Sequence, residues 1–408
     1  MDYIKRDLEP VIQRITDQYP IILLTGPRQV GKTTMLKRLA QTSARTYVTL
    51  DDLTVRMLAK NDPAMFFQIH RPPILIDEVQ YAPELFPQIK LLVDQRQKAG
   101  DFWLTCSQVL RLMEGVRESL AGRVAVLTLS SLSQSEIYAP GEGRPFVPEL
   151  AVLADKEKVT PPADTPEIYR RIFRGSMPAI VSGKYEDSSL FYSSYLSTYL
   201  ERDARELSET MDSLKFLGFV TAVASRCSQI INVADIARDA EVNQVTARHW
   251  LRILETLGIV FYLHPYSNNQ LRRVIKAPKL YFFDTGLACY LGRWSSPETA
   301  ESGAMSGALL ENYVVSELMK SYHNAAQHPF LYYYRDRDSK EIDVIIEADG
   351  SLMPVEIKKT ATPDERLIRV FGVLDRSLIA RGKGAILCMA EKLSAINKDN
   401  LIVPIRLI

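Results

Sequence analysis

Over the first third of the chain, short apolar runs alternate with stretches of helical spacing. The runs fall at 21–25, 46–50, 73–77, 102–105 and 124–129, each too short for an ordinary helix. This alternation predicts an α/β domain over residues 1–137, a parallel sheet with helices wound on it. Pro140, Gly141, Gly143, Pro145, Pro148, Pro161, Pro162 and Pro166 then mark a linker or long exposed loop over 138–166. Residues 167–225 are helical in spacing, with both signs of charge along the faces, and read as a helical lid. The alternative for that stretch is a site that supplies Arg174 or Arg202 to a nucleotide.

The next segment, 226–290, has the pattern of a winged helix-turn-helix. Helical spacing at 233–240 is followed by the break Glu241-Val242-Asn243, a second helical run at 244–257 and a stop at Gly258. Asn243 is placed to cap the second helix, and Gln244, Thr246 and Arg248 near its start are residue types that reach base edges or phosphates. Strand-like runs at 259–263 and 279–283 flank the polar turn Ser267-Asn268-Asn269 and make a wing, which Arg272, Arg273, Lys276 and Lys279 render basic. Duplex DNA is the functional partner this predicts; a packing module for protein contacts uses the same elements.

In the last segment, 291–408, Asp349-Gly350 separates two strand-like runs and predicts a type I′ hairpin with Ala348 opposite Ser351. Counting back places Asp343 opposite Glu356 and Glu341 opposite Lys358 on one face, with Ile342, Val344, Ile346, Val355 and Ile357 on the other. Two facing carboxylates need a compensating cation, and a divalent metal held by Asp343, Glu356 and Glu311 of the preceding helix meets that need. Lys358 beside them is the candidate for neutralising charge or orienting a water.

The chemistry most clearly written in the chain lies after the first apolar run. Gly26-Pro27-Arg28-Gln29-Val30-Gly31-Lys32-Thr33-Thr34 fits the Walker A phosphate-loop pattern in full and has the strand before it and the helix start after it that the loop requires. Glycines let the backbone approach phosphates, Lys32 reaches the β- and γ-phosphates, and the Thr33 hydroxyl takes one Mg²⁺ position. The run 73–78 ends in Asp77 and Glu78, a Walker B pair in which Asp77 holds the metal and Glu78 handles the attacking water. Ser107 and Gln108, after a third strand, stand where a polar side chain senses the γ-phosphate, or else form an ordinary loop. Arg123 is the first candidate for a charge-neutralising arginine, in cis or on a neighbouring subunit, with a plain surface arginine as the alternative. ATP and Mg²⁺ are therefore the predicted cofactors.

Composition adds limits. Lys plus Arg number 50 against 49 Asp plus Glu, so any nucleic-acid surface is local and not a property of the whole chain. The four cysteines, Cys106, Cys227, Cys289 and Cys388, are widely spaced and form no C-x-x-C pair, which predicts free thiols. The charged start lacks a signal-peptide core and no apolar run has the length to span a bilayer, so a cytoplasmic protein without membrane partners is expected.

Glu311, Asp343 and Glu356-Ile357-Lys358 resemble the PD-(D/E)XK restriction-endonuclease-like nucleases, with Ile342 where the superfamily name has proline. That resemblance implies an α-β-β-β-α-β core, either catalytic or kept as a binding domain. Nearly end to end, the chain resembles a widespread prokaryotic family of AAA-type ATPases with a C-terminal domain of unknown function related to these nucleases. The likeness rests on 26–34, 75–78, 105–108, 119–123, 199–205, 279–286 with Asp284-Thr285-Gly286, and 341–358; Cys106 stands where the family usually has glycine. It implies ATP binding and slow hydrolysis and leaves the substrate open. Two functions are compatible: a DNA-associated ATPase with a metal-dependent nuclease domain, or a nucleotide-driven switch or oligomerising ATPase with an inactive nuclease-like domain.

Overall fold

The computed structural model describes residues 3–107, 120–139, 144–207, 211–267, 277–337 and 340–408. Strands β1 (Ile21–Thr25), β2 (Thr46–Thr49), β3 (Ile74–Asp77), β4 (Phe102–Cys106) and β5 (Val124–Thr128) form a parallel sheet in the order β2-β3-β4-β1-β5. β1 is buried along its whole length, which is why it reads as an unbroken apolar run. Alternate residues feed two cores: Ile21 and Leu23 join Phe66, Ile76, Phe86, Ile89 and Leu104 on one face, while Ile22 and Leu24 join Leu75, Trp103 and the helical region on the other. β4 lies between β1 and β3, so the carboxyl ends of all three open side by side, the position at which open α/β sheets bind ligands.

The expected linker 138–166 contains a helix, Leu150–Val159. Its prolines mark the ends of this element: Pro148 precedes the helix, Pro161 follows it, and the residues between contain neither Pro nor Gly. Three of the helices that follow begin at aspartates, with the side chains of Asp164, Asp187 and Asp212 accepting backbone N–H bonds at the starts of Thr165–Arg174, Ser188–Tyr195 and Ser213–Ala224. A π-helical turn, Leu196–Leu200, leads into the helix Glu201–Leu207.

Two further helices, Val233–Asp239 and Gln244–Thr256, are capped by Asn232 and Asn243, and Trp250 of the second packs edge-on against Phe216 and Phe219. Strands β6 (Val260–Pro265) and β7 (Lys279–Phe282) pair antiparallel. They do not stand apart from the C-terminal segment. β6 runs parallel to β8 (Leu331–Arg335) through His264 opposite Tyr332, so a boundary at 290/291 cuts through one continuous sheet. With β9 (Glu341–Ala348), β10 (Ser351–Lys358), β11 (Ala380–Arg381), β12 (Gly384–Cys388), β13 (Ser394–Asn397) and β14 (Asn400–Pro404), the order is β13-β14-β12-β10-β9-β8-β6-β7, and β11 pairs with β10. The β9–β10 hairpin has the counted register, Ala348 opposite Ser351 through Val344 opposite Val355, and both turn residues have positive φ, Asp349 at 49° and Gly350 at 70°.

The long helix Ser306–Asn324 joins the two sheets. Its Asn312 amide closes the backbone of Phe282, accepting from the N–H at 2.7 Å and donating to the carbonyl at 2.9 Å. One turn on, buried Glu317 accepts from the Gln134 N–H and from Lys320, whose ammonium also reaches the Leu132 carbonyl at 3.1 Å. The loop beyond β5 is thereby held to the C-terminal segment by satisfied buried polar groups.

Candidate nucleotide-binding site

The loop after β1 turns at Gly26, where φ is 142° and an added Cβ would lie 2.1 Å from the Leu129 carbonyl oxygen. Gly31, at φ 95°, then starts the helix Lys32–Ala40, aiming its first N–H groups into the space above the sheet. Lys32 is buried and donates to the carbonyl oxygens of Gly26 and Pro27, both at 2.8 Å. Burial pushes its ammonium below the ordinary lysine value, opposed first by Glu78.

Three strands converge on one carboxylate. Asp77, at the end of β3, accepts the Thr33 hydroxyl at 2.7 Å and the Thr105 hydroxyl of β4 at 2.6 Å on Oδ1, and Tyr47 of β2 at 3.2 Å on Oδ2. Glu78 follows at φ 56°, a left-handed conformation uncommon for a side-chain-bearing residue. That turn brings its Oε2 against Ser107 Oγ at 2.7 Å and the Gln80 amide. Burial raises the Glu78 pKa, but Lys32, these hydrogen bonds and Arg28 outweigh it and hold the carboxyl below its ordinary value. A cavity of about 620 Å³ is lined by Arg28 to Thr34, Asp51, Glu78, Tyr3 and Tyr199. Its polar end has the buried Lys32 on one side and the hard oxygen donors Thr33 and Asp77 on the other.

The expected site residues separate into three groups. Gly26, Pro27, Arg28, Gln29, Val30, Gly31, Lys32, Thr33, Thr34, Asp77, Glu78 and Ser107 lie at this one sheet edge; Gln108 is outside the described residues. Arg123 is not here. It precedes β5 at the amino-terminal edge, the opposite end of the parallel strands, where its Nε meets Asp94 Oδ1 at 2.7 Å, so it cannot reach this site in cis. Arg174 is turned to the Ile180 and Val181 carbonyls, and Arg202 Nη2 meets the Tyr81 hydroxyl at 3.2 Å. Sequence reasoning passed over Thr105 and Asp203 as site residues, although both fall within stretches that carry the family likeness.

Gln244 and Arg248 are exposed one turn apart, with Arg248 Nη2 3.4 Å from Gln244 Oε1. Thr246 is half-buried and its N–H is taken by the Asn243 cap. Arg272, Arg273 and Lys276 lie outside the described residues. Lys279, read with them as a basic wing residue, is instead buried among carboxylates, 2.9 Å from Glu311 Oε1 and 2.5 Å from Glu341 Oε1.

That lysine alters the reading of the C-terminal cluster. Glu311 also accepts the Tyr281 hydroxyl at 2.6 Å, while Lys358 lies 3.2 Å from Asp343 Oδ2 and 2.6 Å from Glu356 Oε1. Burial and then Asp343 push the Glu356 carboxyl up to about 7, and its Oε2 is buried without a hydrogen-bond partner. The cations expected from a metal are supplied by Lys279 and Lys358, and among the described residues no cluster of three His, Cys, Asp or Glu side chains is arranged to hold one. All four cysteines are buried and outside any disulfide, and no helix among the described residues is long and apolar enough to cross a membrane.

A family described as AAA domain matches residues 18–138, a domain of unknown function (DUF8612) matches 165–298, and another (DUF4143) matches 306–408. The uncharacterized protein Rv2008c of Mycobacterium tuberculosis is 30% identical over 361 residues, 88% of this chain and 75% of the relative. The chain belongs to the same family of AAA-domain proteins. Uncharacterized protein Mb2031c of Mycobacterium bovis matches this AAA-domain protein to the same extent. Among solved structures, the Walker-type ATPase PABY2304 of Pyrococcus abyssi is similar with a TM-score of 0.46 at 13% identity, covering 71% of this chain and 96% of that one. The RuvB Holliday junction branch migration motor of Thermotoga maritima gives 0.29 at 16% identity, covering 62% and 85%.

Proposed function

We propose that this AAA-domain protein binds ATP with Mg²⁺ and hydrolyses it slowly, using the energy of binding to set the state of its helical and C-terminal regions. The observation that carries this is Asp77 Oδ1 receiving both the Thr33 and Thr105 hydroxyls beside the buried Lys32. Thr33 and Asp77 are the hard oxygen donors that would hold the metal, which when bound neutralises charge on the β- and γ-phosphates. Lys32 exchanges its two carbonyl partners for phosphate oxygens. Glu78 orients water and takes its proton as the water oxygen bonds to the terminal phosphorus and the bond to the β–γ bridging oxygen breaks, the electron pair leaving with ADP. Ser107 and Gln80 fix the carboxylate for that role.

Glu78→Gln keeps the shape and the hydrogen-bonding partners but not the base. Its expected effect is a fall in turnover of about 10²-fold or more with ATP binding retained, read by phosphate release and by equilibrium nucleotide binding. Wild-type turnover unaffected by EDTA, or undiminished in Glu78→Gln, would overturn the assignment.

For the rest of the chain we favour a binding role. The helices Val233–Asp239 and Gln244–Thr256 with the β6–β7 hairpin read as a winged helix-turn-helix whose exposed Gln244 and Arg248 approach duplex DNA. The C-terminal sheet reads as a nuclease-like fold that binds and does not cut, because buried Lys279 already neutralises Glu311, the helix carboxylate of the expected metal set. Arg248→Ala is expected to weaken duplex binding, measured by fluorescence anisotropy, by about 1–3 kcal/mol. Equal binding by the variant assigns the helix pair to protein contacts. The unpartnered Glu356 Oε2 keeps a second reading open to the same preparation: Mg²⁺-dependent nicking of plasmid that disappears in Asp343→Ala would make the domain a nuclease.

A further inference from the structure

The site lacks an arginine from the place where the chain pattern put it, yet the phosphate loop carries one of its own. Arg28 lies between Pro27 and Gln29 with its side chain 12% exposed, and its guanidinium touches three elements. Nε donates to Asp203 Oδ2 at 2.6 Å, Nη2 reaches the Tyr81 hydroxyl at 3.3 Å, and Nη1 is 3.8 Å from Glu78 Oε1. Asp203 belongs to the helix Glu201–Leu207 and is 4% exposed; its Oδ1 is buried without a hydrogen-bond partner. The carboxylate is thus held at one oxygen only, by an arginine of the phosphate loop itself.

The other cations lining the cavity are committed or remote. Arg6 spends its guanidinium on Glu136 and on the Val30 and Ser130 carbonyls, all at 2.8 Å, and so braces the loop from beneath. Lys32 is the expected phosphate lysine. Lys184 is exposed, with its ammonium 5.4 Å from the centre of the Tyr185 ring. Of these, Arg28 alone forms an ion pair with the carboxylate assigned to the attacking water, which is where charge on the terminal phosphate develops. A phosphate can accept two parallel N–H bonds from a guanidinium where Asp203 accepts one, and brings more negative charge, so it competes with Asp203 for Arg28.

We propose that Arg28 is the charge-neutralising arginine of this site, acting in the same chain, and that its transfer from Asp203 to the terminal phosphate tells the helix Glu201–Leu207 that ATP is bound. This rests on the ATPase reading above and adds to it a catalytic residue and the first step of its transmission. ADP, which lacks the terminal phosphate, leaves the pair intact; ATP separates it and leaves Asp203 buried without its cation, so the helix loosens from the loop.

The test uses the full chain with Mg²⁺ and needs two readouts. In the wild type, amide hydrogen exchange across 201–207 is expected to quicken with a nonhydrolysable ATP analogue and to stay unchanged with ADP. In steady-state hydrolysis, Arg28→Ala is expected to lower kcat about 10²-fold or more with a smaller change in KM, and Arg28→Lys to restore part of it. Asp203→Asn frees the arginine, so the analogue binds several-fold more tightly. Exchange that responds equally to ADP and the analogue, or Arg28→Ala turning over at the wild-type kcat, overturns the proposal while the ATPase reading stands. A wild type that neither binds nor hydrolyses ATP overturns the ATPase reading itself and the proposal with it.

Discussion

Replacing Lys32 by alanine is expected to abolish ATP turnover, lowering it about 10²–10³-fold and weakening nucleotide binding together with it. The side chain is buried at the centre of the cradle, so no other ammonium takes its place, and Arg6 is already engaged. Lys32 also ties the loop to itself through the Gly26 and Pro27 carbonyls, both at 2.8 Å. The variant therefore loses these two hydrogen bonds as well as the phosphate contacts, while the sheet beneath it keeps its core. Phosphate release and binding of a fluorescent nucleotide check both effects, with circular dichroism showing that the fold persists. A variant within threefold of wild-type turnover would remove the ATPase assignment.

The phosphate loop was legible because its chemistry is local. Strand, glycines, lysine and threonine are consecutive, and the backbone conformations that Gly26 and Gly31 require are properties of those positions. The β9–β10 hairpin was legible for the same reason: Asp349-Gly350 sets the turn, the turn sets the register, and the register decides which residues share a face. Arg123 shows where such reasoning stops. Its distance along the chain from the loop is compatible with either end of β5, and the parallel direction of that strand places it at the wrong one.

Partners far apart in the chain were not legible. Asp203 meets Arg28 from 175 residues away, and Lys279 meets Glu311 from 32 away, across elements whose mutual packing is settled by side-chain shape in the shared core. The hairpin register was read correctly as far as Val344 opposite Val355; beyond it β9 shifts register against β8, and Ile342 packs with Ile345 and Leu352 instead of sharing a face with Val344 and Ile346. The cation beside its carboxylates was unreadable, because a lysine on β7 comes within reach only once β6 pairs with β8 and carries the middle hairpin into the C-terminal sheet. Gly258, at φ 67°, lies against the phosphate loop, where an added Cβ would lie 2.8 Å from Pro27 Cγ. Two regions beyond the first sheet therefore touch the loop, one through Asp203 and one through Gly258.

Lys279→Met is expected to cost about 3–5 kcal/mol of stability, the loss typical when one partner of a buried ion pair is removed and the other is left charged. Methionine matches the length of the stem, so packing is nearly conserved and charge is what changes. Burial pulls the ammonium pKa down, but Glu311, Asp343 and Glu341 raise it further, so the wild-type side chain is charged at neutral pH. Without it, Glu311 keeps the Tyr281 hydroxyl and Glu341 keeps Arg335 at 3.8 Å, neither of which replaces a buried cation at 2.5–2.9 Å. Burial already raises the Glu311 carboxyl above its ordinary value, and losing the lysine raises it more. A carboxyl whose folded pKa is raised destabilises the fold as it ionises, so the deficit of the variant should be largest near pH 8 and shrink as the pH falls to about 5. Urea unfolding at both pH values measures this. Adding Glu311→Gln and Glu341→Gln should recover most of the loss at pH 8, because the carboxylates are neutralised along with the lysine. A single variant with the wild-type urea midpoint at pH 8 would show that Lys279 is not the cation that holds this cluster together.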